Sequence, residues 1–413
     1  MKLIRNFLWL IVVLLVLQVF KVILSRQSAG ESSSVELIVG CSQFLLVLAV
    51  VFITLFMWIA GRFWKDRRGR RLSFFAGLLF FGSSMVGLEC LFAWWMRHPG
   101  GIPFFLRYSY AYYYDRFEED ILQFDARYAV YDKDLFYTLK RDTSFTFRNI
   151  EFNDRYRTNR LGLRDDDTAL RAPQVVCLGD SYTMGWGVGQ GETFAARLGS
   201  LTGLTVANTG VASYGTAREI INLGRIESTR LRWLIIQYCS NDLGENKTCI
   251  RSNYKLPISS AASYERLVRM QSVSRVYFPG KYFLVIANFF WKQEVNRIHP
   301  WFRLEWERKD GIAGQEEQAR VFLDVLYHSG IDFKKVGVVV TFMDDYESMQ
   351  GPFLKAVKRL SGEEPYRGRF GDAVRTLDIA PLLGPEDLYI LDAHFRASGH
   401  VKIAKAMADI IGK

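Results

Sequence analysis

Three apolar runs crowd the first hundred residues, and nothing else in the chain restricts its fold as strongly. Phe7 to Leu24, Leu37 to Ala60 and Phe74 to Met96 are each close to the ~20 residues that cross the hydrocarbon core of a bilayer. All three read as transmembrane helices. The first is longer than the roughly 7 to 15 apolar residues of a signal peptide, which favours a retained helix. Between the second and third runs lie Arg62, Lys65, Arg67, Arg68, Arg70 and Arg71, and Lys2 and Arg5 precede the first. Such clusters stay on the cytoplasmic side. Three crossings then put the Ser28 to Ser34 loop and everything after His98 outside the cytoplasm. Glu89 stands inside the third run, where a carboxylate is a functional candidate by default, the alternative being that it reaches from the second half of the segment toward the headgroups.

Eleven Lys or Arg against four Asp or Glu before position 101 leave +7 of the whole-chain +10 in this region, so the remaining residues carry only +3. The basic character therefore reports topology, and nucleic acid is not an expected partner. Five cysteines make no disulfide framework. Cys41 and Cys90 fall in apolar runs, Cys177 beside a buried strand, and whether Cys239 and Cys249 are bridged stays open.

The sequence is thus expected to form a membrane region over 1–98, an aromatic juxtamembrane linker over 99–130 and a soluble domain over 131–413. The linker holds Tyr108, Tyr110, Tyr112, Tyr113 and Tyr114, rings that suit either a headgroup belt or packing beneath a globular domain. After Gln174 short apolar strands alternate with helical stretches. The strands are Val175 to Leu178, Leu204 to Ala207, Leu234 to Tyr238, Val336 to Phe342 and Val374 to Ile379. Helices are expected over Glu192 to Leu201, Ala217 to Ser228, Gln315 to Tyr327, Phe353 to Leu360 and Ser398 to Ile411. This rhythm means an α/β fold with a parallel sheet covered on both faces, and ligands beyond the carboxyl ends of its strands. It lapses over about 250–314, expected as a helical insertion, where Tyr282 to Trp291 is apolar but too short to span a bilayer.

Four blocks at strand ends carry the chemistry. Gly179-Asp180-Ser181 follows the first strand, where a serine would sit at the carboxyl edge of the sheet. Asn208-Thr209-Gly210-Val211-Ala212-Ser213-Tyr214-Gly215 follows the second, a turn able to aim a backbone N–H at the same place. Ser240-Asn241-Asp242 follows the third, and Asp392-Ala393-His394 precedes the final helix. There a histidine can act as general base on Ser181 and an aspartate can orient it.

In these blocks the chain resembles the GDSL/SGNH hydrolases over about Asp132 to Lys413. Tyr156 to Arg164 also looks like the Asn-x-x-Gly-Phe-Arg lead-in of membrane-linked bacterial members. The resemblance implies a three-layer α/β/α flavodoxin-like domain, here behind three transmembrane helices, with Ser181, His394 and Asp392 catalytic. It implies an oxyanion hole from Ser181, Gly210, Ser213 and Asn241. Two departures stand out: Ser213 occupies the position where many members carry glycine, and Asp392-x-His394 is shorter than the usual Asp-x-x-His. The implied activity is that of a serine esterase at the bacterial plasma membrane, multi-pass, with its catalytic domain outside the cytoplasm. It would remove acyl groups, acetyl first among them, from an envelope polysaccharide, peptidoglycan or lipid. An O-acetyltransferase working with a membrane acyl-donor protein and an inactive assembly factor are the alternatives. Ser181 alone is also compatible with a helix cap, but four blocks in order favour a nucleophile. His400 opens the last helix and reads as a structural contact. The sequence has no metal-ligand spacing, phosphate loop or Gly-x-Ser-x-Gly elbow, and no cofactor is expected.

Overall fold

The computed structural model describes residues 32–63, 66–274, 277–298, 312–344 and 350–412. The first apolar run lies outside them. The chain divides into two compact units, one of residues 1–118 and 272–307, the other of 119–271 and 308–413.

In the first unit the helices Ser32–Ala60 and Arg67–Arg97 pack together. Gly77 makes their approach close, since a Cβ there would stand 2.8 Å from the ring of Phe56. Phe52 lies 5.8 Å from Phe80 and 5.3 Å from Phe81, ring centroid to ring centroid. Asp66 opens the second of these helices, accepting from the N–H groups of Arg68 and Gly69, the usual remedy for unpaired amides at a helix start. Among the described residues one helix, Arg68–Arg97, is long and apolar enough to cross a membrane; the apolar stretch Leu45–Ala60 is shorter. The aromatic segment divides. Tyr110, Tyr113 and Tyr114 of the helix Arg107–Phe117 are buried, whereas Phe104, Phe105 and Tyr108 are exposed. The helix Lys281–Ile298 packs against this same bundle, so the expected insertion of the soluble domain returns in part to the first unit. Phe283, Val285, Ile286 and Phe289 are buried there.

The second unit is built on five parallel strands, β5 (Val175–Leu178), β6 (Val206–Asn208), β7 (Trp233–Tyr238), β8 (Gly337–Phe342) and β9 (Val374–Leu377). Their order across the sheet is β6-β5-β7-β8-β9, the 2-1-3-4-5 arrangement of flavodoxin-like folds. Side chains alternate between two cores, as the two-residue period of a strand dictates. Val176, Leu178, Leu234, Ile236, Val338 and Val340 join Phe322, Phe353 and their neighbours on one face. Val175, Cys177, Ile235 and Val339 meet Phe194, Leu198, Ile403 and Met407 on the other. All ten strand residues are fully buried, each worth roughly 1.5–3 kcal/mol for a large aliphatic side chain. Helices on both faces are therefore what allows these strands to be apolar throughout.

Four further strands precede the sheet. They pair as two antiparallel hairpins, β1 (Ala129–Asp132) with β2 (Phe136–Leu139) and β3 (Ser144–Arg148) with β4 (Asn153–Arg157). The sequence pattern announces none of these four strands, which are short and, β2 apart, carry charged residues. Cys239 and Cys249 are both free thiols.

Candidate active site

The turn after β5 is where the backbone is most constrained. Gly179 has φ +156, and a Cβ on it would lie 2.1 Å from Thr183 Oγ1 and 2.3 Å from Gln237 Oε1. Only glycine fits. The N–H of Asp180 donates to Gln237 Oε1 at 2.9 Å. Its carboxylate accepts from Tyr182 N–H at 3.0 Å and so caps the short helix Ser181–Met184. Ser181 is left as the first helical residue at the carboxyl edge of the sheet. The last turn of this helix is held by the lead-in segment. Arg164, only 1% exposed, donates from Nη1 to the carbonyls of Met184 and Gly185 and from Nη2 to Val188. Burial lowers the pKa of this guanidinium, with Tyr156 and Asp154 opposing.

His394 joins the serine to the aspartate. Its Nε2 stands 2.7 Å from Ser181 Oγ, and its Nδ1 is in short contact with Asp392 Oδ1. The second carboxylate oxygen of Asp392 accepts from Trp186 Nε1–H at 2.9 Å. Burial disfavours the charged form of Asp392, but the imidazole and the Trp186 N–H outweigh it and hold the carboxyl below its ordinary pKa. The ring of Trp186 also stacks on His394, 5.1 Å between centroids, with Tyr182 on another side at 4.7 Å. A hydrogen-bonded, orientation-locked imidazole of this kind can take a proton from a serine hydroxyl and return it to a leaving group.

Glu151, in the loop between β3 and β4, supports this arrangement from behind. One of its oxygens accepts from Ile390 N–H at 2.8 Å, the other from Leu391 N–H at 2.7 Å and Asp392 N–H at 3.1 Å. Burial nevertheless raises the pKa of Glu151, and the charge of Asp392 adds to the effect. Three amides converging on one carboxylate fix the backbone of the shortened Asp392-x-His394 segment. Neither Glu151 nor Trp186 belongs to any block read from the sequence. No local pattern marks an acid whose partners lie some 240 residues away.

The oxyanion candidates separate. Gly210 packs against the nucleophile turn, where a Cβ would stand 2.2 Å from Met184 N, and its own N–H donates to Asn208 Oδ1 at 3.1 Å. Ser213 has φ +59, a left-handed conformation that favours glycine. Its hydroxyl accepts from Gln123 Nε2–H at 2.9 Å. The glycine-like backbone therefore persists at 213 although the residue is serine. Asn241 begins the helix that follows β7, and its amide donates to Asp180 Oδ2 at 3.4 Å, leaving its second N–H for another acceptor. His400 is buried, and its Nδ1 accepts from Phe194 N–H at 3.1 Å. Burial pushes its pKa down to about 3, so it is a neutral structural acceptor.

The Ser–His–Asp chain at the carboxyl edge of this doubly wound sheet has the geometry of a nucleophile-and-base site. The strand order, with all four blocks gathered at that edge, is the flavodoxin-like arrangement expected from the resemblance to GDSL/SGNH hydrolases. No family model matches the sequence, and no curated protein does. Among solved structures it is similar to a member of the lipolytic protein G-D-S-L family from Veillonella parvula, at 11% identity. That match covers 58% of this chain and 98% of the other, with a TM-score of 0.32. A carbohydrate esterase family 2 enzyme with a carbohydrate-binding domain from Corynascus thermopiles shares 10% identity over 58% of this chain and 65% of its own, with a TM-score of 0.31.

Proposed function

We propose that the second unit is a serine esterase that cleaves ester-linked acyl groups. The reading rests on one observation above the others, His394 within hydrogen-bond reach of both Ser181 and Asp392. His394 takes the Ser181 proton as Oγ attacks the ester carbonyl. The oxyanion that forms is received by the N–H groups of Ser181 and Ser213 and by the Asn241 amide, Gly210 being occupied with Asn208. His394 then protonates the departing alcohol. Water attacks the acyl-Ser181 intermediate by the same route in reverse, giving the acid and free serine.

The first unit supports membrane attachment, since Arg68–Arg97 has the length and apolarity of a spanning helix. We infer a multi-pass anchor with the catalytic unit outside the cytoplasm, and acylated envelope carbohydrate or lipid as substrate. A reporter active only outside the cytoplasm, fused after Lys413, should be active; signal from a cytoplasmic reporter instead would overturn the topology.

The chemistry is tested with p-nitrophenyl acetate. Wild-type protein should release acetate, and Ser181→Ala should not. Adding acetylated and free oligosaccharides and weighing products by mass spectrometry separates hydrolysis from transfer. Free acetate as the main product supports the esterase; acetylated acceptor at millimolar concentration would replace it with an acyltransferase working beside an acyl-donor protein. No product from any ester, with the protein folded, would leave a binding or assembly factor.

A further inference from the structure

A cavity of about 650 Å³ opens in the second unit away from the Ser–His–Asp chain; neither Ser181 nor His394 lines it. Its volume is that of a small-molecule site. One wall is the β3–β4 hairpin. Arg155 and Arg157 alternate onto one face of β4, and Ser144 lies opposite Arg157 in register.

The polar groups of this cavity are unequally satisfied. Arg157 is ion-paired to Asp166. Asp165 accepts from Asn208 N–H and Asp166 N–H, both at 2.7 Å, so each of its oxygens is engaged. The carbonyl oxygen of the Gln190 side chain accepts from Arg157 N–H at 3.3 Å. Among the described residues the Arg155 guanidinium and the Gln190 amide N–H₂ have no acceptor. Three lining arginines, Arg155, Arg157 and Arg164, stand against two aspartates, a surplus of one positive charge. Arg155 is exposed at the mouth of the cavity, its guanidinium open to an incoming acceptor. Ala196 and Val206 supply a small apolar wall.

We propose that this cavity is a second binding site, for a sugar bearing a carboxylate or a phosphate. The anionic group would meet the planar fork of Arg155, which suits both oxyanions bidentately. Ring hydroxyls would accept from Gln190 and Ser144, and the C–H face of the ring would lie on Ala196 and Val206. The site also shares residues with the nucleophile turn. Asn208 donates from Nδ2 to Thr183 O at 2.9 Å, and Arg164 donates to the Met184 and Gly185 carbonyls.

The test is calorimetric titration of full-length Ser181→Ala protein in nanodiscs with glucuronate, glucose 6-phosphate, glucose and inorganic phosphate. This background needs no ester chemistry, so the outcome is independent of the esterase reading. At least one anionic sugar should bind, with glucose at least about tenfold weaker, the scale of one hydrogen bond to a charged group. The stronger of the two anionic sugars identifies the oxyanion. Arg155→Ala should weaken that ligand by a similar factor and Arg155→Lys by less. In the otherwise wild-type chain, Arg155→Ala should leave p-nitrophenyl acetate turnover unchanged. Equal binding of glucose, indifference to Arg155→Ala, or no binding of either anionic sugar would overturn the proposal. Inorganic phosphate binding as tightly as the sugar phosphate would reduce the cavity to a simple ion site and overturn the sugar assignment.

Discussion

Each of the two units places a carboxylate against backbone amides that would otherwise lack partners, and they do so for different ends. In the sheet unit Glu151 gathers three N–H groups of the loop that carries Asp392. In the helical unit Glu89, on the long apolar helix, accepts from Phe283 N–H at 2.9 Å, Tyr282 N–H at 3.4 Å and Tyr277 Oη–H at 3.1 Å. There it meets the opening turn of the helix Lys281–Ile298, where free amides and the helix dipole both favour a negative charge. This gives the carboxylate inside the third apolar run a structural partner. The same chemistry thus fixes a reactive loop in one unit and joins two helices in the other. Only the first should register in catalysis.

That contrast can be broken at several points. The largest effect is expected at Asp392, which in the proposed mechanism orients the base: Asp392→Asn should lower kcat on p-nitrophenyl acetate by about 10³ to 10⁴-fold. His400→Ala should lower the thermal midpoint and leave turnover per folded molecule nearly unchanged, and a reversal of these two results would move the base to His400. Glu151→Ala comes next. Freeing the three amides should let His394 drift and cost roughly 10²-fold in kcat, the scale of a small misplacement of reacting groups, while KM changes little. A loss confined to KM would deny Glu151 its positioning role.

Glu89→Ala should leave turnover unchanged. It should destabilise the helical unit by about 1 to 3 kcal/mol, the penalty for unpaired amides, read as faster proteolysis between Tyr277 and Asn288. Equal losses of activity from Glu89→Ala and Glu151→Ala would erase the distinction between the units. The smallest effect concerns Asp180, whose carboxyl burial pushes up to about 6, with the charge of Asp344 also raising it and Tyr182 N–H, His394 and Gln237 opposing. A carboxyl with a raised folded pKa binds protons more readily in the native than in the unfolded chain. Its contribution is therefore complete below the ordinary value near 3.8 and is lost as pH rises through about 6. Asp180→Asn should lack that loss, so the melting temperature of the variant relative to wild type should climb by a few degrees between pH 4 and 7. A flat difference would mean that Asp180 is not buried as described.

The sheet unit was far more legible in sequence than its supports. Val175 to Leu178 and Val336 to Phe342 announce themselves because strands covered on both faces are continuous apolar runs. Ser181 and Asn241 were visible because each follows such a run, and His394 because it stands just before the final helix. The hairpins β1 to β4 were not, since four- and five-residue strands with Asp132, Arg155 and Arg157 in them look like polar linker. Glu151 and Trp186 act across large sequence separations, and no spacing records that. Ser213 illustrates a further limit. The residue type argued against a glycine position, yet the left-handed backbone survives because the turn between β6 and the helix Thr216–Leu223 demands it.

The division of the chain has a consequence for biogenesis. β7 and β8 are neighbours in the sheet, but the segment 272–307, which belongs to the helical unit, is made between them. During synthesis β5, β6 and β7 emerge first, and the edge of β7 that β8 will occupy stays open while the intervening helices are translated. At about 5 to 20 residues per second this exposure lasts several seconds. An uncovered parallel edge is an invitation to mispairing with another nascent chain, so variants that delay the middle segment should fail first in yield of folded protein, with the active site of the survivors intact.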